Sequence, residues 1–454
     1  MNNFKTLVIT TFLVFTSSVF SIETTSNIKG SVVDEAGNLK ANATVTVTYE
    51  ATNTSKTFNT DSSGNFYAVN LKAGGPYTIA SGSSKLSDVF LSIGKTSNIN
   101  LIISSSQSME DVQVTGSRLN IAETTSGPSA VFTSLDLANS ASYDRDIKEV
   151  LAQHPSIYIN EANNKAMQCA GNNSRFNGLT LDGIALNDSF GLNANGYPSE
   201  RMPFSYDAIE QVSVEFAPYD VQYGGFSACL VNAVTKSGGN EFSGSAFYEF
   251  TNNDLTGDQA DGKYITIPDY DEAKYGFTLG GPVIQDKLYF FAAYEMYEDQ
   301  DLGEFGYAGS GMPTELPWFS KAQYDQIVSI AKDKYNFDPG GLASALDSES
   351  EKLLAKFDYY VNDNTRAVLT YNYSKGFVNQ PSDQSPTEFE FSNHFYKRGN
   401  ELNAVMLQVY SSIGDVNTQF KYGYKELKNS QVGVGGAFGD FQISVPGGKV
   451  YLGG

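Results

Sequence analysis

Residues 352–362 read Lys-Leu-Leu-Ala-Lys-Phe-Asp-Tyr-Tyr-Val-Asn, and the order of these residues decides the fold. Successive side chains of an extended chain point to opposite sides. Leu353, Ala355, Phe357, Tyr359 and Val361 therefore share one face, and Lys352, Lys356, Asp358 and Asn362 share the other. Residues 416–426 repeat the pattern, with Val416, Phe420, Tyr422 and Tyr424 opposite Asn417, Gln419, Lys421 and Lys425. Segments of about 10 residues with this alternation are the signature of membrane-crossing barrel strands, apolar toward lipid and polar toward the lumen. Residues 242–250, 274–283, 287–297, 365–375 and 401–411 have the same texture. The connections alternate in length, long at 251–273, 298–351 and 376–400 and short at 284–286, 363–364 and 412–415. Outer-membrane barrels carry short periplasmic turns and long extracellular loops. A chain entering the wall at residue 239 from the periplasmic side puts every short turn on that side, an alternation that a soluble β-sandwich does not require. The loop 298–351 is expected to hold a helix, Lys321 to Tyr335, opened by the capping box Ser320-x-x-Gln323.

Composition supports a mainly β chain and narrows its chemistry. The 454 residues include 28 Tyr, 30 Phe and 42 Gly, and only 18% are charged, which suits aromatic strands and tight turns. Thirty Lys and Arg stand against 51 Asp and Glu, a net charge of −21 that would repel phosphate backbones and excludes nucleic acid as a natural partner. The two histidines, His154 and His394, are far apart in sequence, which leaves little for histidine catalysis or a multi-histidine metal site. His154 reads as a helix-end residue and His394 as a loop residue. No cofactor is expected.

The N-terminus has Lys5, an apolar run from Thr6 to Phe20 and a small Ser21, which together read as a secretory signal sequence over 1–21. The run falls short of the roughly 20 residues that span a bilayer. In an exported chain Cys169 and Cys229 are expected to form a disulfide. The competing reading, two buried thiols or a redox pair, lacks a C-x-x-C motif or a basic cluster to support it.

Residues 22–104 alternate short strands with turns at Asp34–Asn38 and Asp61–Asn65, as in a small two-sheet sandwich. A polar linker follows, and then an extended stretch beginning Asp111-Val-Gln-Val114. By its residues alone this stretch is either a strand available for addition to a partner's sheet or one more short strand. Residues 119–238 are mixed α+β, with a helix at 146–153 stopped by Pro155, a hairpin turning at Asp182-Gly183 and a strand at 208–216.

A compact segment placed directly before barrel strands in an exported chain suggests a domain folded inside the barrel. The stretch Asp207-Ala-Ile-Glu-Gln-Val-Ser-Val-Glu, with Gln222-Tyr-Gly-Gly225 and Val231-Asn-Ala-Val-Thr-Lys-Ser-Gly-Gly-Asn240, resembles the end of the plug of TonB-dependent outer-membrane receptors. Leu179-Thr-Leu-Asp-Gly183 resembles the plug hairpin. Leu279-Gly-Gly-Pro282 with Asp286-Lys-Leu-Tyr-Phe-Phe291 is similar to the first periplasmic hairpin of the Oar-like subgroup. Gly30, Asp34, Gly37, Val45, Asp61, Gly64, Phe66 and Leu71 resemble the carboxypeptidase regulatory-like, carbohydrate-binding-like sandwich that the same subgroup carries. The resemblance implies a sandwich (22–104), a linker (105–118), a plug (119–238) and a partial transmembrane barrel of about seven or eight strands (239–454), in the outer membrane of a Gram-negative bacterium. It implies that Glu110, Asp111, Val112, Gln113 and Val114 are the TonB box, which pairs with TonB of the inner-membrane energising complex. Outer-membrane lipid and an unidentified extracellular substrate are the other partners implied. Substrate contacts are expected at the plug apex from Asn187, Asp188, Asn193, Asn195 and Tyr197.

Zincin, nucleophile-elbow and P-loop patterns are absent, and the protein is not expected to be an enzyme. Ser92-Ile-Gly-Lys95 fits S-x-x-K by chance, without its partner motifs. Acids at Asp254, Asp258, Asp261, Asp269, Asp271, Glu272, Asp299, Asp301 and Glu304 read as a solvated rim rather than a Ca²⁺ site. The expected function is energised uptake, with a surface adhesin or secretion-linked receptor binding carbohydrate or protein as the alternative. Eight strands fill their own interior with side chains and cannot enclose a plug, so the chain is expected to be the N-terminal part of a longer protein.

Overall fold

The computed structural model describes residues 23–103 and 122–453, apart from 125–126, 189–192, 220–222, 258, 261, 265–266, 268–269, 344 and 415. The expected signal sequence (1–21), the segment Glu110 to Val114, and the acids Asp258, Asp261 and Asp269 lie outside the described residues.

One antiparallel sheet holds seven strands in chain order: Ser243–Asn252, Asp271–Ile284, Leu288–Leu302, Ala345–Asn362, Thr365–Gln380, Tyr396–Ile413 and Val416–Gly433. Each expected wall strand forms, and most run further toward the long-loop end than their alternation foretold. Pairing continues there, as at Ser348↔Val378 and Asp299↔Ser348, because backbone hydrogen bonds need no apolar face. This extension overturns the solvated rim for two acids. Glu272 lies in the strand Asp271–Ile284 and Asp299 in Leu288–Leu302, and both meet basic side chains (below). Among the described residues no ladder joins Ser243–Asn252 to Val416–Gly433, so the wall is open.

The polarity of the wall is inverted relative to a soluble sheet. Leu353, Phe357, Tyr359 and Val361 are 37–45% exposed, whereas Lys352, Lys356 and Asp358 are 2–7% exposed. Only a hydrocarbon surround satisfies that arrangement, because the outward apolar side chains need no partner there and the inward charges need the plug.

The plug is a five-stranded sheet in the order Ile184–Ala185, Gly178–Leu181, Leu230–Thr235, Ile209–Glu215, Ser129–Thr133. Its core includes Val150, Leu151, Leu181, Phe204, Val212 and Val214, each no more than 1% exposed. The hairpin turns at Asp182 (φ 47°) and Gly183 (φ 87°), the left-handed pair that a two-residue turn requires. The helix is shorter than expected, Ile147–Leu151, because Asp146 serves as its cap and accepts from the Lys148 amide at 2.9 Å. Cys169 and Cys229 are disulfide-bonded, Cα to Cα 6.0 Å, which discards the free-thiol reading. Closing a loop of this length restricts the unfolded chain by about 4 kcal/mol in the chain-entropy account.

The passage from plug to wall explains two glycine motifs together. A Cβ on Gly238 would lie 2.2 Å from the Phe290 carbonyl and 2.8 Å from that of Gly281, so the chain passes the backbone of the first hairpin too closely for any side chain at residue 238.

The N-terminal sandwich packs Asn65–Lys72, Thr25–Asp34, Thr96–Ile103 and Glu123–Thr124 against Thr54–Asn59, Thr44–Tyr49, Gly74–Ser81 and Ser84–Leu91. Ile28, Val32, Val45, Ile79, Val89 and Leu91 are fully buried between the sheets. Ser84–Leu91 escaped the sequence reading because its pairing shifts register and Asp88 is left-handed (φ 57°), which scrambles the period of two. The sandwich is seated under the plug. Gln211 of the plug donates to the Leu91 carbonyl and accepts from the Ile93 amide, both at 3.0 Å. Lys95 pairs with Glu215 at 3.1 Å and hydrogen-bonds Ser129, which gives this S-x-x-K lysine a structural role. At the short-turn rim the Tyr289 hydroxyl donates to the Thr52 carbonyl at 3.0 Å, and the Asn240 amide to that of Ala51 at 2.7 Å.

Candidate functional site: the plug against the barrel wall

Inward-facing strand positions carry charge because they meet folded domains rather than lipid: Lys356 and Asp299 pair with the plug, Lys352 with Glu295 of the neighbouring strand, and Asp358 lies 3.6 Å from Lys72 of the sandwich. At the short-turn end the plug hairpin is pinned at Asp182. Its carboxylate accepts from the Thr235 amide at 3.0 Å, the Thr235 hydroxyl at 2.6 Å and the Thr370 hydroxyl at 3.2 Å, and Lys356 lies 3.4 Å away. Gln408 donates to the Asp182 carbonyl at 2.9 Å. Midway, Glu295 of the wall is fully buried. It receives Lys352 at 2.8 Å, the Ser205 hydroxyl at 3.0 Å and the Tyr206 amide at 3.2 Å, with Arg145 at 3.6 Å. Arg145 also pairs with Asp207 at 2.9 Å and lies over the Phe247 ring.

Toward the long-loop end Arg201 pairs with Asp299 at 2.9 Å and stacks on Tyr297, while Arg398 of the wall reaches Glu200 at 2.5 Å. Lys274 contacts Glu272 at 2.5 Å and donates to the Tyr143 carbonyl at 2.6 Å. A polar cavity of about 490 Å³ opens here between plug and wall, lined by Asp144, Lys165, Asn195 and Arg201 on one side and by Glu272 and Asp299 on the other. Burial opposes the charge on Asp144, but contact with the Lys165 ammonium outweighs it and holds the carboxyl below its ordinary value. Burial pushes the Glu149 carboxyl up, against the pull of its hydrogen bond from Ser142.

Of the residues expected at the plug apex, one reaches this cavity, whereas Asn187 lines a separate one with Lys421 and Lys425 of the wall. Asn187 accepts from the Leu179 amide and donates to the Asn177 carbonyl, and Asp188 accepts from the Asn193 amide at 3.0 Å. Asn193, Asn195 and Tyr197 are 3–4% exposed. Asn195 donates to the Ser199 and Glu200 carbonyls, and the Tyr197 hydroxyl donates to Asp146 at 2.6 Å. Of the five, Asn195 lines the cavity. Sequence reasoning missed Arg145, Arg201, Glu295 and Lys352. The inward polar face of the wall strands was visible, but which plug residue meets which wall residue has no local signal.

A strand wall with lipid-facing apolar residues, filled by a domain held through paired charges, defines an outer-membrane receptor with a plugged barrel. Family profiles agree segment by segment. Residues 27–104 match the carboxypeptidase regulatory-like domain, 122–229 the TonB-dependent receptor plug domain and 234–314 an outer membrane beta barrel domain. In its plug and barrel segments the chain is similar to the TonB-dependent outer-membrane receptors, and it resides in the outer membrane of a Gram-negative bacterium. It is 35% identical over 138 residues to the TonB-dependent transporter Oar of Myxococcus xanthus, a match covering 29% of this chain and 12% of that protein. Solved structures similar to it include the outer membrane transporter YddB from Escherichia coli (12% identity, TM-score 0.46, 65% of this chain and 38% of the other). Another is the siderophore receptor PirA from Pseudomonas aeruginosa (13%, 0.42, 67% and 41%). The chain thus spans about two fifths of the length of the solved structures it matches, and the Oar match covers a smaller share still.

Proposed function

We propose that this protein performs TonB-energised uptake: a substrate enters from the long-loop side, meets the cavity around Asn195 and Arg201, and passes inward when force on residues 110–114 displaces the plug. The observation that carries the reading is the chemistry of the plug–wall contact. A plug that must move has to part from the wall, and here ion pairs and hydrogen bonds ring an apolar contact that Phe291, Ala293, Leu354, Leu402 and Ala404 of the wall make with the plug core. Each such charged contact is worth about 1.5–3 kcal/mol net, because water re-forms much of what displacement breaks. The plug's own core is apolar and disulfide-closed, so it can move or unfold locally without losing its identity. No covalent step belongs to this reading.

The test is on the box. A strand added to TonB needs its backbone N–H groups, and proline removes one and fixes the backbone. In the full chain Val112→Pro is expected to lower binding of the purified periplasmic domain of TonB by at least about tenfold, read by surface capture of detergent-solubilised receptor. Undiminished binding would remove residues 110–114 from the mechanism.

A further inference from the structure

Two of the long connections, 298–351 and 376–400, fold together with the segment that follows the last wall strand, at the outer end of the wall. The helix Lys321–Tyr335, with its capping box as expected, packs with Phe319, Phe389, Phe391, Val450 and Leu452 in a core separate from that of the plug. Inside this loop subdomain Asp383, Glu390 and His394 bring one ligand atom each to within 4.8 Å of one another. We propose that these three side chains form a binding site for a divalent transition cation of the zinc class, exposed to the outside of the cell.

Four features carry the assignment. First, the histidine is oriented as a ligand: its side chain is 6% exposed and its Nδ1 is hydrogen-bonded to the Gly453 carbonyl. A carbonyl can only accept, so Nδ1 carries the proton and in the neutral ring the Nε2 lone pair is free. Second, Nε2 faces Asp383 Oδ2 at 3.6 Å and Glu390 Oε1 at 3.9 Å. An imidazolium would close on a carboxylate to about 2.7–2.9 Å. Ligands held about 2.0–2.2 Å from a common tetrahedral zinc instead stand roughly 3.4 Å apart, close to the separations seen.

Third, Glu390 is fully buried, and among the described residues its ion pairs include no lysine or arginine. A buried carboxylate without a fixed cation is costly. Its oxygens are oriented by the Ser382 amide and hydroxyl, both at 3.0 Å, and by the Asp383 amide. Fourth, the Asp383 side chain is 48% exposed, which leaves an approach and a coordination position open to solvent. Asp440, 3.9 Å from Nδ1, adds negative charge on the other side of the ring. Glu390 and His394 are four residues apart, around the short turn Ser392–His394, and the Gly453 carbonyl that orients the ring comes from the segment after the last wall strand, so a bound cation would be linked to that segment through the histidine.

The experiment uses the untagged full chain in detergent, stripped with a chelator and titrated with ZnCl₂ against a chromophoric competitor. One Zn²⁺ per chain is expected, with affinity lowered at least about tenfold in both Asp383→Asn and His394→Gln, and with excess CaCl₂ unable to displace it. Asp383→Asn changes an exposed side chain and keeps the reading independent of folding; circular dichroism of both variants supplies the control. Absence of stoichiometric Zn²⁺ binding, or binding equal in both folded variants and the parent, would overturn the proposal and leave the cluster a histidine–carboxylate pair.

Discussion

The sandwich interior and the plug–wall seam are both buried, but the seam adds paired charges to its apolar contacts, whereas the sandwich interior is apolar throughout. Between the sandwich sheets lie Ile28, Val45, Ile79 and Leu91, held by the exclusion of water. Between plug and wall lie Asp182 with Lys356, Arg145 with Glu295 and Arg201 with Asp299, held by pairing. An apolar interface resists separation in proportion to its area, because every exposed Å² is penalised. A paired interface resists in proportion to how poorly water can replace the partner. The two regions therefore differ in what they tolerate: the sandwich is a body to be kept whole, and the seam is a contact that a pull and a little water can release.

The largest effect expected from this contrast is in the sandwich. Ile79→Ala removes a fully buried side chain and should cost about 2–5 kcal/mol, read as loss of amide-exchange protection across Thr44–Tyr49 and Gly74–Ser81. A cost below about 1 kcal/mol would erase the distinction between the two regions. In the seam a double-mutant cycle on Arg201→Gln and Asp299→Asn should give a coupling of only about 1 kcal/mol, shrinking between 0.05 and roughly 0.5 M salt, because both side chains retain some exposure. A salt-independent coupling of several kcal/mol would mean that the plug is locked rather than held.

A third effect is a pH slope at the sandwich–wall rim. Burial, with Arg366 nearby, pushes the Lys56 ammonium down from 10.5 to about 8. The folded value lies below the unfolded one, so folding disfavours the charged form. The penalty is complete below pH 8 and is relieved as pH rises from about 8 to 10.5. Protection of Thr54–Asn59 should therefore rise across that window in the parent, whereas Lys56→Met should start higher at pH 7 and stay flat.

Much of the fold was legible because its signals are local. The seven wall strands follow from the period of two, the hairpin from Asp182-Gly183, and the loop helix from Ser320 and Gln323, whose reciprocal hydrogen bonds form as expected. Where local order is broken the reading failed, at the bulged strand Ser84–Leu91 and at Glu272 and Asp299, which belong to strands outlasting their apolar stripe. The site was less legible. Lys95 looked like a chance match and is a buried cation between sandwich and plug, and His394 looked like an ordinary loop residue and faces two carboxylates.

The sequence by itself determined which faces of the wall are apolar, where the chain turns, that Cys169 and Cys229 pair, and that the chain is laid out as sandwich, plug and barrel strands. Those properties depend on residues near one another or on the chemistry of a single residue type. Only the tertiary structure decided which charges meet: Asp182 with Lys356 across the hairpin and wall, Glu215 with Lys95 across two domains, and Asp383 and Glu390 with His394, whose ring is held by a carbonyl from another loop. An ion pair is specified by proximity in space, and a charged residue on a polar strand face has the same local pattern whichever partner the fold brings to it.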